Sequence, residues 1–322
     1  MSVTREEVLW CYQNLLGREP ESDEAIRVHL DNKTLRDVVN AFTNSEEFRQ
    51  QRMEVKRAVI APIIIRPLAL DVQQIDISAS AEELDRCAAK IKDAWQTMGA
   101  EQPHFSVLSQ AQFLPENLSE SIASFWESGE NEATHFESVL ARYGVTKLEN
   151  LVCVEYGCGV GRLTGTFAKH FKQVFAYDIS KPHLIHASQR IAELGLKNVS
   201  FVECLDLMKA NIEPCDVFLS IIVLQHNPPP LLFELIRRAL IALRPGGTAI
   251  FQVPIYIVGY SFNLKNWLET NHAHEMQMHC VPQESLFELV SGLGCKLLSV
   301  REDAHAGHPE AIVSNTFVVR KD

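Results

Sequence analysis

The spacing of apolar residues along the chain predicts a helical amino-terminal half and a mixed carboxyl-terminal half. In residues 1–58, apolar positions recur every three or four residues within short segments. Each segment begins at a serine or threonine, the residue types that commonly cap helices: Thr4, Ser22, Thr34 and Ser45. Thr4 and Glu7 also have capping-box spacing. The pattern predicts a helical accessory domain over residues 1–58.

Residues 59–78 lose this helical period, and residues 70–77 alternate between apolar and polar positions. We therefore predict a linker with an extended segment. Apolar stripes at helical spacing return in residues 82–98 and 120–143.

From residue 151, short apolar strands alternate with amphipathic helices, which is typical of a parallel sheet covered on both faces. The predicted strands are residues 151–156, 174–178, 199–204, 216–222 and 248–253. The predicted helices between them are residues 162–171, 182–194 and 231–243. A last helix at 283–293 precedes two strands, 296–301 and 311–320, with hairpin spacing. The predicted fold is α/β, with five parallel strands followed by an antiparallel hairpin.

Composition narrows the possible partners of this fold. The 322 residues include 30 basic and 41 acidic side chains, a formal net charge of −11, which disfavours nucleic acid and anionic membranes as partners. The longest charge-free apolar stretch, residues 58–65, is too short to span a membrane, and the amino terminus does not read as a signal peptide. The eight cysteines lack metal-ligand spacing. We expect a cytoplasmic protein.

A glycine-rich loop follows the first strand of the predicted sheet. Glycines 157, 159 and 161 allow a tight turn and a close approach of the backbone to a ligand. A dinucleotide fingerprint would require a further glycine at position 162 or 164, where the chain has Arg162 and Thr164. The Gly-Lys-Ser/Thr of a phosphate-binding Walker loop is absent as well. These differences argue against an NAD-dependent oxidoreductase and against an NTPase.

Two acids flank this loop. Glu155 precedes it, and Asp178 ends the next strand, where a carboxylate can accept hydrogen bonds from a ribose diol. With these residues, the chain from about 148 to 320 resembles the class I S-adenosylmethionine-dependent methyltransferases, whose fold is Rossmann-like. The resemblance implies S-adenosylmethionine as cofactor. It also implies a set of cofactor-binding residues: Glu155, Gly157, Cys158, Gly159, Gly161, Asp178, Ile179, Asp206, Leu207 and Gln225. We expect residues 79–322 to form this domain, with 79–145 as a helical lid.

The amino-terminal segment has a resemblance of its own. The string from Tyr12 to Pro20, followed by Ser45-Glu46-Glu47-Phe48, resembles a short helical domain of unknown function. That family occurs in bacterial proteins, some of them associated with glycosylation and the cell surface. The resemblance implies an accessory or docking module, with a possible protein partner or self-association.

The carboxyl-terminal domain contains several histidines that could take part in methyl transfer. A hydroxyl acceptor needs a base, and the candidates are His226, then His279 and His104. A group of three histidines and a glutamate could hold a metal ion, but it lacks the zincin spacing and we predict no metal: His272, His274, Glu275 and His279.

The predicted reaction is O-methylation of a small-molecule or glycan hydroxyl by direct displacement. Two alternatives stay open. The first is a catalytically silent S-adenosylmethionine-binding module. The second is an N-methyltransferase, suggested by Asn227-Pro228-Pro229-Pro230, although that tetrad lacks the aromatic residue of the N-methyltransferase motif.

Overall fold

The computed structural model describes residues 3–16, 18–30, 34–45, 47, 70–204, 212–270 and 276–322. The chain divides into two compact units, Met1–Leu70 and Asp71–Asp322. In the described residues, no helix has the length and apolar character needed to cross a membrane.

The amino-terminal unit contains three short helices: α1 (Arg5–Leu15), α2 (Asp23–Leu30) and α3 (Leu35–Asn44). Thr4 and Glu7 form the predicted capping box at the start of α1. Each helix buries its apolar face. The side chains of these faces form a small core that includes Val8, Ile26 and Val38. The predicted helices of the amino-terminal segment are therefore confirmed. Its last predicted residues, 48–58, lie outside the described part of the chain.

The larger unit contains seven further helices of four or more residues among its described residues. They are α4 (Ala81–Glu101), α5 (Leu118–Arg142), α6 (Thr164–His170), α7 (Lys181–Glu193), α8 (Pro229–Ala242), α9 (Leu264–Glu269) and α10 (Gln283–Gly292). Three single-turn helices lie at Ala111–Phe113, Leu148–Asn150 and Leu224–His226. The strands are β1 (Val152–Tyr156), β2 (Gln173–Asp178), β3 (Val199–Glu203), β4 (Cys215–Ser220), β5 (Leu243–Ile257), β6 (Cys295–Asp303) and β7 (Ile312–Lys321).

The seven strands form one sheet in the order β3-β2-β1-β4-β5-β7-β6. Strands β1 to β5 are parallel, and β7 lies antiparallel between β5 and β6. The predicted five parallel strands and antiparallel hairpin are confirmed. Because β1 pairs with β2 on one side and with β4 on the other, the strand order reverses there. In open α/β sheets, ligands bind at the carboxyl edge beside such a reversal.

Helices cover both faces of the sheet. Successive side chains of each strand point to opposite faces, so the apolar strands present apolar side chains on both. On β1, Val154 packs in the core shared with α4, α8 and α10, whereas Cys153 packs in the core shared with α5 and α6. Helix α5, part of the segment expected to form a lid, therefore lies mainly against a sheet face. Helix α4 covers the other face and reaches the carboxyl edge.

Strand β5 is longer than the sequence pattern predicts. It extends to Ile257, where Tyr256 and Ile257 pair with Val313 and Ile312 of β7. The parallel neighbour β4 ends at Ser220, opposite Phe251, so β7 is the only described strand that pairs with these last residues. The local sequence does not show this long-range pairing.

Part of the predicted linker is extended and joined to the larger unit. Phe262 donates its backbone N–H to the carbonyl oxygen of Gln74 at 2.9 Å, and Asp76 donates its own to the carbonyl oxygen of Phe262 at 3.0 Å. These bonds attach the segment to the loop that follows β5.

The stacked rings of Phe251 and Phe317, 5.3 Å apart and nearly parallel, connect β5 to β7 in the buried core. We expect Phe317→Ala to lower the free energy of unfolding of the larger unit by about 3 to 5 kcal/mol, because the cavity cannot fully collapse. Urea unfolding followed by circular dichroism would measure this loss. The same substitution at Phe287, whose side chain is 36% exposed, is the control, and an equal loss there would contradict the prediction.

Candidate active site

The glycine loop runs from the end of β1 to the start of α6. Its three glycines have positive φ angles of 80°, 55° and 84°, at positions 157, 159 and 161. A Cβ atom on Gly159 would lie 2.5 Å from Cγ2 of Val107, and one on Gly161 would lie 3.2 Å from Cβ of Ala187. Both the backbone conformation and the close packing therefore require glycine at these positions.

The carboxylate of Asp178, at the end of β2, is hydrogen bonded to the backbone of this loop. Its Oδ2 accepts the N–H of Gly159 at 2.7 Å, and its Oδ1 accepts the N–H of Ser180 at 2.8 Å. The side chain is buried, yet each oxygen keeps a second lone pair. Asp178 thus fixes the loop and can still accept hydrogen bonds from a ligand.

Glu155 lies one residue before the end of β1 and is also buried. Thr164, the first residue of α6, donates its hydroxyl to Oε2 of Glu155 at 2.6 Å. The pKa of Glu155 is raised from 4.5 to about 7, chiefly by burial and also by the nearby Asp178, although the Thr164 hydrogen bond and Arg162 oppose the shift. This carboxyl group can therefore gain or lose a proton near neutral pH.

A cleft opens beside these residues and encloses about 960 Å³ of space free of protein atoms, including the solvent at its mouth. Six residues that the sequence predicts to bind the cofactor line it: Glu155, Gly157, Cys158, Gly159, Asp178 and Ile179. Gly161 instead packs against α7. Gln225 is buried in a separate network, where its Oε1 accepts a bond from Gln252 at 2.8 Å. Asp206 and Leu207 lie outside the described residues.

Other segments complete the walls of the cleft. Ile91 and Trp95 come from α4, and Ser106 and Val107 come from the irregular segment after it. These residues place part of the segment expected to act as a lid directly beside the glycine loop.

Two polar residues at the cleft were absent from the predicted set. Ser106 Oγ lies 2.8 Å from Nε2 of His183, and Nδ1 of the same ring lies 3.8 Å from Oδ1 of Asp178. His183 follows Asp178 by five residues, so its place at the start of α7 was readable from the sequence. Its contact with Ser106 was not.

Arg162 also lines the cleft and was not predicted as a site residue, although it directly follows the third glycine. Its side chain is only 3% exposed. Nη1 donates a long hydrogen bond to Ser128 Oγ at 3.3 Å, and Nη2 lies 4.0 Å from Oε2 of Glu132. Burial lowers the pKa of Arg162, while Glu132 and Glu155 oppose that shift.

The loop after β4 forms a further wall. Ile222 has a φ of 58°, a conformation that is strained for a β-branched residue. Its N–H donates to Oε1 of the fully buried Gln252 at 3.0 Å. Gln252 in turn donates to Gln225 and Ser314, so a buried amide network holds this turn against the cleft.

The three candidate bases lie in different surroundings, and none of them is among the residues that line this cleft. The ring of His226 lies 5.3 Å from that of Trp95, which lines the cleft. Its Nδ1 lies 2.8 Å from the carbonyl oxygen of Gln277, which can only accept, so Nδ1 carries the proton and Nε2 is the basic nitrogen. Burial lowers the pKa of His226.

The other two histidines are packed among aromatic rings. His279 Nδ1 lies 2.8 Å from the hydroxyl of Tyr260, and its ring contacts the edge of Phe262. His104 packs against Phe125 and Trp126, and burial lowers its pKa to about 4.

The Asn-Pro-Pro-Pro tetrad lies at the start of α8, which begins at Pro229. Asn227 donates from Nδ2 to the carbonyl oxygens of Val223 and Leu224, at 3.0 and 3.3 Å, within its own turn. These bonds leave only the Oδ1 atom of this amide for a ligand.

For the residues that the structure describes, no cluster of three or more His, Cys, Asp or Glu side chains is arranged to hold a metal ion. Three of the histidine-group residues considered for metal binding lie outside that part of the chain: His272, His274 and Glu275.

Comparison with known proteins supports the interpretation of this fold. Residues 153–247 match a protein family described as a methyltransferase domain. No curated protein matches the chain significantly.

Two solved structures of similar fold illustrate the architecture. Magnesium protoporphyrin IX methyltransferase from Synechocystis PCC 6803, with bound S-adenosylhomocysteine, is 15% identical, with a TM-score of 0.53 over 73% of this chain and 100% of that one. The 1,6-didemethyltoxoflavin-N1-methyltransferase from Burkholderia thailandensis is 19% identical, with a TM-score of 0.51 over 80% and 99%. Residues 153–247 are therefore a methyltransferase domain, and the surrounding sheet has the class I fold, as the sequence predicts.

The proton of Glu155 makes a testable contribution to stability. Between about pH 4.5 and 7 the folded protein holds a proton that the unfolded chain releases, so stability falls as the pH rises through this window. Glu155→Gln keeps an acceptor for Thr164 but removes the charge. We expect its free energy of unfolding, relative to the wild type, to be greater at pH 8 than at pH 5 by roughly 2 to 3 kcal/mol.

Urea unfolding at both pH values measures this difference. Glu101→Gln, at an exposed position on α4, is the control. An equal pH effect in the control, or none at Glu155, would show that the buried carboxyl group does not titrate as described.

Proposed function

We propose that this protein transfers the methyl group of S-adenosylmethionine to the oxygen of a hydroxyl group on a small molecule or a glycan. The main support for this cofactor is the hydrogen bond between the glycine loop and the carboxylate of Asp178. Two backbone N–H groups hold that carboxylate beside the cleft with lone pairs to spare for a ribose diol. A side chain at position 159 would collide with Val107, which also lines the cleft.

When bound, S-adenosylmethionine supplies a methyl group on a positively charged sulfur. That sulfur is the leaving group when a lone pair of the acceptor attacks the methyl carbon directly. The protein then has two tasks: it must align the acceptor and receive the proton that the hydroxyl loses. Trp95, Ile222 and Val223 form the walls that can exclude water and orient an acceptor. His226, held with Nδ1 toward Gln277, offers a neutral basic nitrogen.

Two features favour a small molecule or a glycan as acceptor. The net charge of −11 disfavours a nucleic acid substrate. The resemblance of the amino-terminal unit to a domain found in proteins associated with glycosylation favours a sugar hydroxyl, and that unit is proposed as the docking module. A cytoplasmic location remains a prediction from the sequence.

The N-methyltransferase alternative has less support. The prolines of the tetrad start α8, and Asn227 uses its amide nitrogen within its own turn. The silent-module alternative predicts cofactor binding without turnover.

The cofactor assignment is tested by calorimetric titration with S-adenosylmethionine, S-adenosylhomocysteine and NAD. We expect binding of the first two in the micromolar range and none of NAD. Asp178→Ala should weaken binding at least about tenfold, because charge-assisted bonds to the ribose are lost. Asp85→Ala, on the exposed side of α4, is the control. Binding of NAD alone, or of none of the three, would refute the proposal.

The base is tested with a panel of hydroxyl acceptors, by measuring the formation of S-adenosylhomocysteine. His226→Asn keeps a donor near Gln277 but removes the basic nitrogen, so kcat should fall about 100-fold or more while the affinity for S-adenosylhomocysteine changes little. Since burial lowers the pKa of His226 below its usual 6.5, the wild-type rate should be constant from pH 8 to 6.5 and fall below that. Unchanged kcat in the variant would exclude His226 as the base.

A further inference from the structure

A chain of buried side-chain amides connects the turn at Ile222 with the ring of His226. The N–H of Ile222 donates to Oε1 of Gln252 at 3.0 Å. A backbone N–H can only donate, so this oxygen is the acceptor and Nε2 of the same amide must donate. It donates to Oε1 of Gln225 at 2.8 Å and to Oγ of Ser314 at 2.7 Å. The peptide of Ile222 therefore sets the direction of the whole chain.

The chain ends at the ring of His226. Because Oε1 of Gln225 accepts from Gln252, its Nε2 faces the ring and lies 3.4 Å from Nε2 of His226. On the other side of the ring, Nδ1 lies 2.8 Å from the carbonyl oxygen of Gln277. The Gln225 nitrogen can only donate and the Gln277 oxygen can only accept. The ring is therefore neutral, with its proton on Nδ1 and its lone pair on Nε2.

A second proton on this ring would meet the wrong partner. Protonated Nε2 would point its N–H at an N–H of Gln225, and that amide cannot turn without losing its bond to Gln252. Both glutamine side chains are buried, with 1% and 0% exposure, so water does not replace the lost bond. The separation of 3.4 Å is long for a hydrogen bond, so the lone pair on Nε2 stays available to a ligand.

The other neighbours of the ring do not offset this arrangement with charge. Trp95 from α4 packs against it, and two titratable side chains lie one contact further away. These are His183, whose ring is 6.3 Å from that of Trp95, and His279, whose backbone N–H donates to the carbonyl oxygen of Gln225 at 2.8 Å. In the described part of the chain, none of the ring's own contacts is with a charged side chain. Burial lowers the pKa of His226, and the bond to Gln277 opposes this shift.

We infer that Gln225 and Gln252 are positioning residues that hold His226 neutral, with Nε2 as its basic nitrogen. Gln225, which the sequence resemblance places among the cofactor ligands, then acts through the base instead. Gln252 acts at one further remove, from β5. This inference rests on the proposed function, in which His226 receives the proton of the acceptor hydroxyl.

The test is nitrogen NMR of the full chain with ¹⁵N-labelled histidine rings, recorded without cofactor or acceptor. The signals of His226 are those that disappear in His226→Asn. We expect the wild-type ring near neutral pH to have a protonated Nδ1 and an unprotonated Nε2. Titration of the same signals with acid measures the proton affinity of the ring.

Two variants change the chain at different distances from the ring. Gln225→Glu places an acceptor opposite Nε2, so both ring nitrogens face acceptors and the proton affinity of His226 should rise at least about tenfold. Gln252→Met removes the amide that holds Gln225, whose oxygen can then turn toward the ring. The proton affinity should rise about three- to tenfold, although no direct neighbour of the ring has changed.

Ser314→Ala is the matched control. It removes the other acceptor of the Gln252 amide but leaves the direction of the chain as it is. The proton affinity of His226 should stay within about twofold of the wild-type value. Thermal unfolding of every variant checks the fold independently of the ring signals.

The possible failures can be told apart. A wild-type ring with its proton on Nε2, or unchanged proton affinity in both Gln225→Glu and Gln252→Met, would overturn this inference. An equal rise in Ser314→Ala and Gln252→Met would overturn it as well, since loosened packing and not amide direction would then control the ring. Because the NMR measurement needs no cofactor, failure to bind S-adenosylmethionine would overturn the proposed function separately.

Discussion

The site depends on one buried carboxylate. Asp178 accepts a hydrogen bond from the backbone of Gly159 and another from that of Ser180, and so joins the loops that follow β1 and β2. The bond from Gly159 fixes the glycine loop at the edge where the strand order of the sheet reverses. Without the carboxylate, two buried N–H groups would lose their partner, which is costly in a region that excludes water.

Burial, more than ion pairing, governs the ionisation of the charged side chains around Asp178. Asp178 lies close enough to raise the pKa of Glu155, and Arg162 lies close enough to oppose that rise. Ordered side chains from three segments therefore share one weakly solvated volume. In such a volume each charge alters the pKa of its neighbours. A charged ligand that enters therefore interacts with all of these side chains at once.

The opposite wall of the cleft is built on an amide network. Gln252 on β5 holds the strained turn at Ile222 and contacts Gln225 and Ser314. Because Ser314 belongs to β7, the antiparallel hairpin at the carboxyl terminus supports the loop after β4, although it contributes no residue to the lining of the cleft. This support explains how a β-branched residue is kept at positive φ beside the site.

Much of this architecture followed from the sequence alone. The periods of apolar residues determined the order of strands and helices. The spacing of three glycines with Asp178 predicted a ligand site at the end of the first strand, because turn geometry and strand ends are local properties. The tertiary structure decided the rest. Arg162 meets Ser128 and Glu132 only because α5 packs across the sheet face. His279 and His104 are enclosed by aromatic rings because segments distant in sequence converge on them. Such neighbours depend on how whole elements pack, and no local pattern of residues encodes that packing.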